Sequence, residues 1–339
     1  MWEDIFILFG AAILCGFLVK RYHRPIVTNE WSIAVFATDG VARDSRFIQR
    51  IPSPNLRASD VTDAAAELVA DPFLVMDQDR YYLFFEVYNK ITEKGEIAVA
   101  ISDDRLNWRY DKLVLVEKFH LSYPQVFKWQ EEYYMLPETI ESGKVQLYKA
   151  KIFPYEWEPV SQLLDRPLAD PSLFHYQDKW WMYAGTPGNL HLFSSPMLES
   201  GWVEHPQSPL ITNDDRVTRP GGRIVVYGDD IYRYAQSGIP YYGKSVSAFR
   251  VTLLNDTEYE EVEEALVLEG TGGTSDWQRD GMHHIDQIRL SDQEWLVTVD
   301  GHRGIVRHYL RWKWDRWTTR LQWRNAHKRG SSGGETLNR

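Results

Sequence analysis

Cysteine is nearly missing from this chain, since Cys15 is the only one among 339 residues. A disulfide needs two cysteines, so the chain has no intrachain disulfide framework, and its redox compartment is left open. A basic excess is missing too: 38 Lys and Arg stand against 48 Asp and Glu, which gives a formal net charge of −10. Because nucleic acids are bound through a basic face, we expect no nucleic-acid partner.

Two glycine clusters also lack the context that a phosphate site would need. They occur at Gly221-Gly222 and Gly272-Gly273, and neither stands between a strand pattern and a helix pattern. A phosphate loop requires that strand-to-helix setting, so the clusters give no support to nucleotide hydrolysis.

A unit that recurs five times is the most informative feature that the sequence does contain. Each unit opens on a turn dipeptide, continues through an apolar run and an aromatic strand, and closes on a Trp or Tyr. A period of roughly 40 to 50 residues with about four strands is typical of a β-propeller blade. We therefore predict an all-β fold, a five-bladed β-propeller over residues 25–326. The openings are Asp71-Pro72, Tyr123-Pro124, Asp170-Pro171, Arg219-Pro220 and His283-His284-Ile285-Asp286, and the closing aromatics are Trp108, Trp157, Trp202, Tyr259 and Trp317.

The two ends of the chain are expected to lie outside this repeat. Residues 1–24 contain a 15-residue run without charge (residues 5–19), which predicts a short apolar helix. Its basic residues follow the run, whereas a secretory signal carries them before it. A membrane anchor is the main expectation, although the run is shorter than the roughly 20 residues of a full span. A helix packed on an upstream domain and a signal peptide are the alternatives.

An anchor of this kind would also set the orientation. The basic flank Lys20, Arg21 and Arg24 predicts a membrane-associated protein whose propeller faces the cytoplasm. Residues 327–339 are expected to be a disordered tail. The strand-like stretch from Trp31 to Thr38 is expected to close the ring by pairing with the last blade.

The blade openings define the candidate site. The innermost strand of each blade follows the central axis, so residues that open these strands meet at one mouth of an axial funnel, where a ligand site is usual. The ends of the second strands occupy equivalent positions in their blades and are expected to form a second ring or a supporting shell. Those second-strand ends are Glu86, Glu138, Gln236 and Asp300.

The Ala-Asp-Pro triplets at Asp71 and Asp170 resemble the five-bladed superfamily of glycoside hydrolase family 43, levansucrase and invertase, over residues 60–325. The resemblance implies that Asp71 is a general base or nucleophile and that Asp170 tunes the acid and holds the sugar. In that pattern the acid is a Glu of blade 4, where this chain offers Arg219, Arg233 and Gln236 instead. Glu138 of blade 2 is therefore the candidate acid. Its alternative role is to bind a sugar hydroxyl or to brace Arg219.

A second resemblance is to the N-terminal domain of plant glucosamine inositolphosphorylceramide transferases and related bacterial proteins. It is carried by the phrases DPFLV, SYPQVF, DPSLF, RPGGR and GMHHID. In the plant proteins the resemblance implies that transferase chemistry belongs to a separate C-terminal domain. A separate glycosyltransferase is thus an expected partner of this chain.

The charged residues near the mouth leave further alternatives open. Arginines of blade 4, with Arg303, either neutralise the funnel carboxylates or bind an anionic sugar headgroup. The His283–Asp286 cluster could hold a metal, but its spacing is short and no partner motif accompanies it, so we expect neither metal nor cofactor. We predict a funnel that binds a carbohydrate or glycolipid and hydrolyses or transfers a glycosyl group, or else only recognises the glycan. Besides the catalytic candidates Asp71, Asp170 and Glu138, the expected substrate-binding residues are Glu86, Tyr123, Arg219, Arg233, Gln236, His283, His284, Asp286 and Arg303.

Overall fold

A computed structural model describes residue 16 and residues 25–44 and 51–331 of the chain. The apolar segment 1–24, apart from Gly16, lies outside the described residues, as do residues 332–339 of the predicted tail. The described residues confirm the five-bladed β-propeller, because their strands form five separate antiparallel sheets of four or five strands each.

The first four blades follow one another along the chain. Their strands are, in blade 1, β3 (Ala66–Asp77), β4 (Arg80–Asn89), β5 (Lys94–Ser102) and β6 (Arg109–Leu115); in blade 2, β7 (Ser122–Trp129), β8 (Glu132–Glu138), β9 (Val145–Ile152) and β10 (Glu156–Leu164); in blade 3, β11 (Ala169–Tyr176), β12 (Lys179–Thr186), β13 (Asn189–Ser195), β14 (Val203–Glu204) and β15 (Ile211–Thr212); and in blade 4, β16 (Arg219–Pro220), β17 (Val225–Tyr227), β18 (Asp230–Ser237), β19 (Ser245–Leu254) and β20 (Tyr259–Glu269).

The fifth blade combines the two ends of the repeat. Its sheet has the order β2-β1-β22-β21, in which β21 (Ile285–Arg289) and β22 (Trp295–His308) pair with β1 (Pro25–Thr38) and β2 (Leu56–Arg57). The stretch that contains Trp31 thus supplies the third strand of the last blade. The C-terminal part of the chain thus contributes two strands, β21 and β22, to this blade, and the pairing of β22 with β1 closes the ring.

Apolar side chains between neighbouring blades form the core. Five buried clusters are present, and each joins the facing sheets of two adjacent blades. Between blades 1 and 2, for example, fully buried Phe84 meets Met135 in one cluster and packs edge-on against Trp157 at 5.8 Å. Burial of such a side chain contributes about 1.5–3 kcal/mol, so the repeated aromatic strands stabilise the contacts between blades.

The C-terminal end differs from the sequence prediction. Residues Tyr309–Ser331 form one 23-residue helix, α1. Among the described residues from Pro25 onward, the other helical elements are two short 3₁₀ turns, Ala58–Asp60 and Ile140–Ser142. Trp317 lies in α1 and does not close a blade, because β1 already occupies that place in the sheet. Residues 327–331 of the expected tail belong to the same helix. None of the described helices is both long and apolar enough to span a membrane.

Candidate functional site

The first three blades open on the same unusual backbone conformation. Asp71, Tyr123 and Asp170 have φ values of 51°, 49° and 48°, and each precedes a proline. The strand register slips at each of these positions, between Ala70 and Phe73 in blade 1 for example. A left-handed conformation costs a non-glycine residue about 1–3 kcal/mol and persists only where the surroundings hold it. The backbone at the mouth is therefore held in place by other groups.

Hydrogen bonds to carboxyl groups hold this backbone conformation at the three blade openings. The amide of Asp71 donates to Asp300 Oδ2 at 3.0 Å, the amide of Tyr123 donates to Asp71 Oδ2 at 3.2 Å, and the amide of Asp170 donates to Glu138 Oε2 at 3.0 Å. All three accepting carboxyl groups come from the predicted blade openings and second-strand ends. Hydrogen bonds from the three backbone amides to buried carboxyl groups offset the strain.

Asp300 is the most heavily bonded of these carboxylates and is fully buried. Besides the Asp71 amide, it accepts the amides of His283 and His284 at 3.1 and 3.0 Å, and it contacts His283 Nδ1 at 2.9 Å. Burial alone would lower the pKa of His283, but the charge and hydrogen bond of Asp300 raise it above its usual value. His283 Nε2 lies 3.7 Å from Asp71 Oδ1. The imidazole ring of His283 thus stands between two carboxyl groups.

Arg219 of blade 4 contacts carboxyl groups of blades 2 and 3. Its Nε donates to Asp170 Oδ2 at 2.5 Å, and its Nη2 lies 3.4 Å from Glu138 Oε2. Gln236 Nε2 donates to the same Asp170 oxygen at 2.9 Å. Glu138 therefore lies beside Asp170 and under Arg219, which is the bracing role considered as its alternative.

Two of the carboxyl groups titrate near neutrality. Burial raises the pKa of Asp71 to about 7, against the opposing influence of His283. Burial also raises the pKa of Glu138 to about 8, helped by the charge of Asp170 and opposed by Arg219. Each group is only 5% exposed. A carboxyl that keeps its proton near pH 7 donates a hydrogen bond, so the mouth offers acidic donors as well as acceptors.

Glu86 stands at the same ring with a histidine partner that the sequence did not indicate. Glu86 Oε1 lies 3.5 Å from His120 Nε2, and His120 Nδ1 accepts the Gly95 amide at 2.9 Å. Because Nδ1 accepts, the neutral imidazole carries its proton on Nε2, which faces Glu86. Burial raises the pKa of Glu86 and lowers that of His120, so a neutral pair is favoured.

The floor of the funnel is formed by Tyr123 and His284. The hydroxyl of Tyr123 bonds Ser172 Oγ and the Gly222 amide, both at 2.7 Å. His284 packs edge-on against Tyr123 at 5.1 Å, and its Nδ1 lies 3.8 Å from Asp71 Oδ1. Neither ring nitrogen of His284 has a hydrogen-bond partner within the part of the chain that the structure describes. Burial lowers the pKa of His284 to about 4, so it is a neutral polar group under the mouth.

One group of residues could be considered for a cation. Ligand atoms of Asp71, His283 and Asp300 lie within 4.8 Å of one another. The oxygens of Asp300, however, already accept three backbone amides and face a histidine nitrogen. A cation would have to displace those bonds, so the set fits a hydrogen-bonded support better than a metal centre.

Three predicted ligands lie elsewhere or are already engaged. Asp286 is fully buried and bonds Arg223 Nε at 2.7 Å and the Leu74 amide at 2.6 Å, which makes it an ion pair that fills the axis below the mouth. Arg233 has no exposure, because its guanidinium bonds Glu261 and the Val217 carbonyl. Both side chains are bonded by protein groups in the described residues, and their role as substrate ligands stays a prediction.

Arg303 is the third of these residues. It pairs with Glu30, with both Nε and Nη2 2.8 Å from Oε2. Of the arginines predicted near the mouth, Arg219 bonds the carboxyl groups of the site. Each of the others is paired with a carboxylate elsewhere: Arg223 with Asp286, Arg233 with Glu261 and Arg303 with Glu30.

An aromatic rim at the mouth was missed by sequence reasoning. Tyr242 lies on the loop between β18 and β19, its ring 5.1 Å from the Arg219 guanidinium and 5.1 Å from the His283 ring. It is 46% exposed, whereas Trp31 is buried and packs against His283 in a tilted contact at 4.3 Å. The extra length of this loop was the available signal.

The same loop also carries a misleading pattern. Residues 238–245 read G-x-x-x-x-G-K-S, the letters of a phosphate loop. They connect the antiparallel strands β18 and β19, and β19 begins at Ser245, so no helix N-terminus follows them. The pattern therefore lacks the backbone that would hold a phosphate.

The funnel mouth combines carboxyls, a half-exposed guanidinium and an exposed phenol ring on a rigid frame. Sugars are held by such combinations, since hydroxyls pair with carboxyl and guanidinium groups while ring C–H faces stack on aromatics.

Comparison with known proteins agrees with the resemblance noted above. A family model described as "Glucosamine inositolphosphorylceramide transferase 1, N-terminal" matches residues 31–302. The chain is 35% identical over 266 residues to glucosamine inositolphosphorylceramide transferase 1 of Oryza sativa subsp. japonica, covering 75% of this chain and 36% of that protein. The protein of the same name in Arabidopsis thaliana is 32% identical over 299 residues, covering 81% and 39%. The match thus spans little more than a third of each relative.

Solved structures share the fold at low identity. An alpha-L-arabinanase mutant of Cellvibrio cellulosa superposes with a TM-score of 0.51 at 17% identity, covering 70% of this chain and 90% of that one. A glycosyl hydrolase of Bacteroides ovatus gives 0.50 at 11%, covering 70% and 85%. At such identities the likeness extends to the propeller fold alone.

Proposed function

The chain belongs to the family of glucosamine inositolphosphorylceramide transferase 1 N-terminal domains, and from that premise we propose that its axial funnel recognises the sugar headgroup of a complex carbohydrate or glycolipid. The observation that carries this proposal is the convergence of Asp71, Glu138, Asp170 and Arg219 on one mouth. These residues come from four different blades. Hydrogen bonds join Glu138, Asp170 and Arg219 directly, and Asp71 bonds the amide of Tyr123 in the next blade.

The carboxyl groups supply the hydrogen bonds to sugar hydroxyls. Asp71 and Glu138, whose pKa values are raised to about 7 and about 8, retain protons over much of the neutral range and can donate. Asp170, bonded by Arg219 and Gln236, is an acceptor. His284 adds a neutral imidazole without a partner among the described residues. Mixed donors and acceptors suit hydroxyls, which act as both.

An anionic headgroup fits this mouth best. The Arg219 side chain is 37% exposed, so part of its guanidinium remains accessible beside the carboxyls. Guanidinium groups bind phosphate and carboxylate through paired hydrogen bonds. The names of the relatives contain glucosamine and inositol phosphate, and a glucosaminyl-inositol phosphate headgroup has the required sugar hydroxyls and negative charge.

Glycoside hydrolysis or transfer is the second candidate, favoured by the raised pKa of Glu138. A glycosidase needs one protonated carboxyl for the leaving oxygen and a second to activate water or to attack. Glu138 and Asp71 would have these roles, with Asp170 holding the sugar. Recognition ranks first because Glu138 Oε2 is engaged by the Asp170 amide and by Arg219.

The setting of this activity is proposed as membrane-associated. The apolar run in residues 1–24 with its following basic residues would tether the propeller on the cytoplasmic side. A separate glycosyltransferase would then act on the headgroup that the funnel holds.

A glycan array followed by titration calorimetry tests the proposal. We expect the full chain to bind anionic glycans and Asp71→Asn to bind them at least about tenfold more weakly, because a hydrogen bond to a buried partner is lost. Asp103→Asn, an exposed blade 1 residue, is the control. Product release by the parent chain that Asp71→Asn abolishes, with binding retained, would favour the hydrolase. A chain that binds no glycan and releases no product would refute both functions.

A further inference from the structure

The C-terminal helix α1 concentrates positive charge in an acidic protein. Its 23 residues contain seven Lys or Arg and one Asp, a net charge of +6. The whole chain carries −10, so the remaining residues carry −16. The glycan site does not explain a segment of such opposite sign.

Large apolar side chains form an exposed stripe along the first half of the helix, over residues 310–321. Leu310, Trp314, Trp317 and Leu321 are 47%, 65%, 52% and 39% exposed. Their spacing of four, three and four residues puts them on one helical face. The rings of Trp314 and Trp317 lie 5.1 Å apart, so the two indoles form one patch. Exposed apolar patches of this kind mark interaction surfaces.

Basic residues border this stripe on both sides. Arg311 and Lys313 are exposed, and at 100° per residue they lie on opposite flanks of the line through Leu310 and Trp314. The long side chains of Lys and Arg can extend past an apolar surface while their charges stay in water. Indole rings prefer the boundary between headgroups and acyl chains, where one edge is apolar and the other is wet.

We propose that α1 binds the surface of an anionic membrane, lying in the interface with its Leu and Trp stripe inserted and its basic flanks against lipid headgroups. The helix lies on the bilayer and does not cross it, in agreement with its lack of an apolar span. Charge complementarity and the exposed indole pair favour this occupant: a bilayer interface offers anionic headgroups beside an apolar layer, whereas a second copy that paired through the same helix face would oppose two segments of +6. The proposal is independent of the glycan-binding function.

Vesicle sedimentation with the full chain tests it. Vesicles of phosphatidylcholine mixed with phosphatidylserine are compared with vesicles of phosphatidylcholine alone. We expect Trp314→Ala/Trp317→Ala to weaken binding to the mixed vesicles roughly tenfold. Arg311→Glu/Lys313→Glu should reduce the preference for phosphatidylserine by a similar factor, since each basic residue near an anionic surface contributes separately.

Matched variants on the propeller separate α1 from general surface effects. Leu106→Ala/Val203→Ala removes two exposed apolar side chains, and Arg109→Glu/Lys118→Glu reverses two exposed charges. Both controls should bind as the parent does. If the α1 variants also match the parent, the residues before the propeller account for all binding and the proposal is wrong.

A label on the stripe reports insertion directly. The chain has a single cysteine, so Trp314→Cys in a Cys15→Ser background takes one environment-sensitive fluorophore. Its emission should shift to the blue on vesicles containing phosphatidylserine, whereas the same label at Leu106→Cys should not shift. An unshifted emission of the Trp314→Cys label would contradict membrane docking. So would a parent chain that is dimeric in solution, if Trp314→Ala/Trp317→Ala made it monomeric without weakening vesicle binding, because the stripe would then join two copies.

Discussion

Replacing Arg219 by methionine would test the electrostatic arrangement of the funnel. The methionine keeps the apolar stem and removes the guanidinium that bonds Asp170 and lies 3.4 Å from Glu138. Breaking a buried ion pair costs about 3–5 kcal/mol, and an exposed pair is worth about 0–1 kcal/mol. Because the Arg219 side chain is 37% exposed while both carboxyls are buried, we expect a loss of about 2 kcal/mol at pH 6.

The loss should grow with pH. Burial raises the pKa of Glu138 from 4.5 to about 8 in the folded chain, and Arg219 opposes that rise. A carboxyl with a raised folded pKa favours folding fully below its unfolded pKa, and this contribution is lost as pH rises through the folded value. Without Arg219, Glu138 keeps its proton to higher pH than in the parent. Above pH 8 the variant therefore loses stability relative to the parent, by up to about 1.4 kcal/mol per pH unit.

Urea unfolding at pH 6 and pH 9 measures both effects. The control is Arg216→Met, which removes an exposed guanidinium paired with Asp214 two residues earlier. We expect a small cost for the control at both pH values. Equal costs for Arg219→Met at pH 6 and pH 9, or a cost no greater than that of Arg216→Met, would refute this account of the funnel.

Three further substitutions probe the frame and the rim. Gly222→Ala should prevent stable folding, because its Cβ would lie 1.8 Å from the Ile285 carbonyl oxygen; Gly40→Ala meets nothing within 4 Å and should melt as the parent does. Asp300→Asn should cost about 3–5 kcal/mol in urea unfolding and lower the pKa of His283 in an NMR titration, since it removes the charge that stabilises the imidazolium; an unchanged histidine titration would contradict that pairing. Tyr242→Ala should weaken glycan binding by about 1 kcal/mol in calorimetry with little change in melting temperature, because its half-exposed ring faces the mouth; unchanged affinity would exclude stacking on that ring.

The repeat in the sequence was sufficient to predict the fold and the meeting of distant residues at one mouth. Asp71, Tyr123 and Asp170 precede prolines at the same point of successive blades, and a shared position in a rotationally repeated fold means a shared position around the axis. The ends of the second strands also occupy equivalent positions in their blades, so they too were predicted to form a ring around the axis. Glu138 and Asp300 do contact the next opening along the ring, where they bond its backbone amide.

Individual partners could not be predicted in this way. Periodicity assigns Arg233 to strand β18 but does not say that its side chain reaches Glu261 of β20, two strands away in the same sheet. Asp286 similarly follows His283 and His284 in the same motif. Because it lies further along the strand, its carboxylate pairs with Arg223 below the mouth. Tyr242 lies on a loop without periodicity, so its approach to Arg219 depends on tertiary structure alone.

Hydrogen–deuterium exchange of the full chain, with and without a saturating glucosaminyl-inositol phosphate headgroup, tests the central claim most directly. One ligand in the axial funnel should slow exchange together at Asp71, Tyr123, Asp170, Gly222 and His283, whose amides come from all five blades. Protection restricted to a single blade, or found only on the outer strands, would contradict a shared binding mouth.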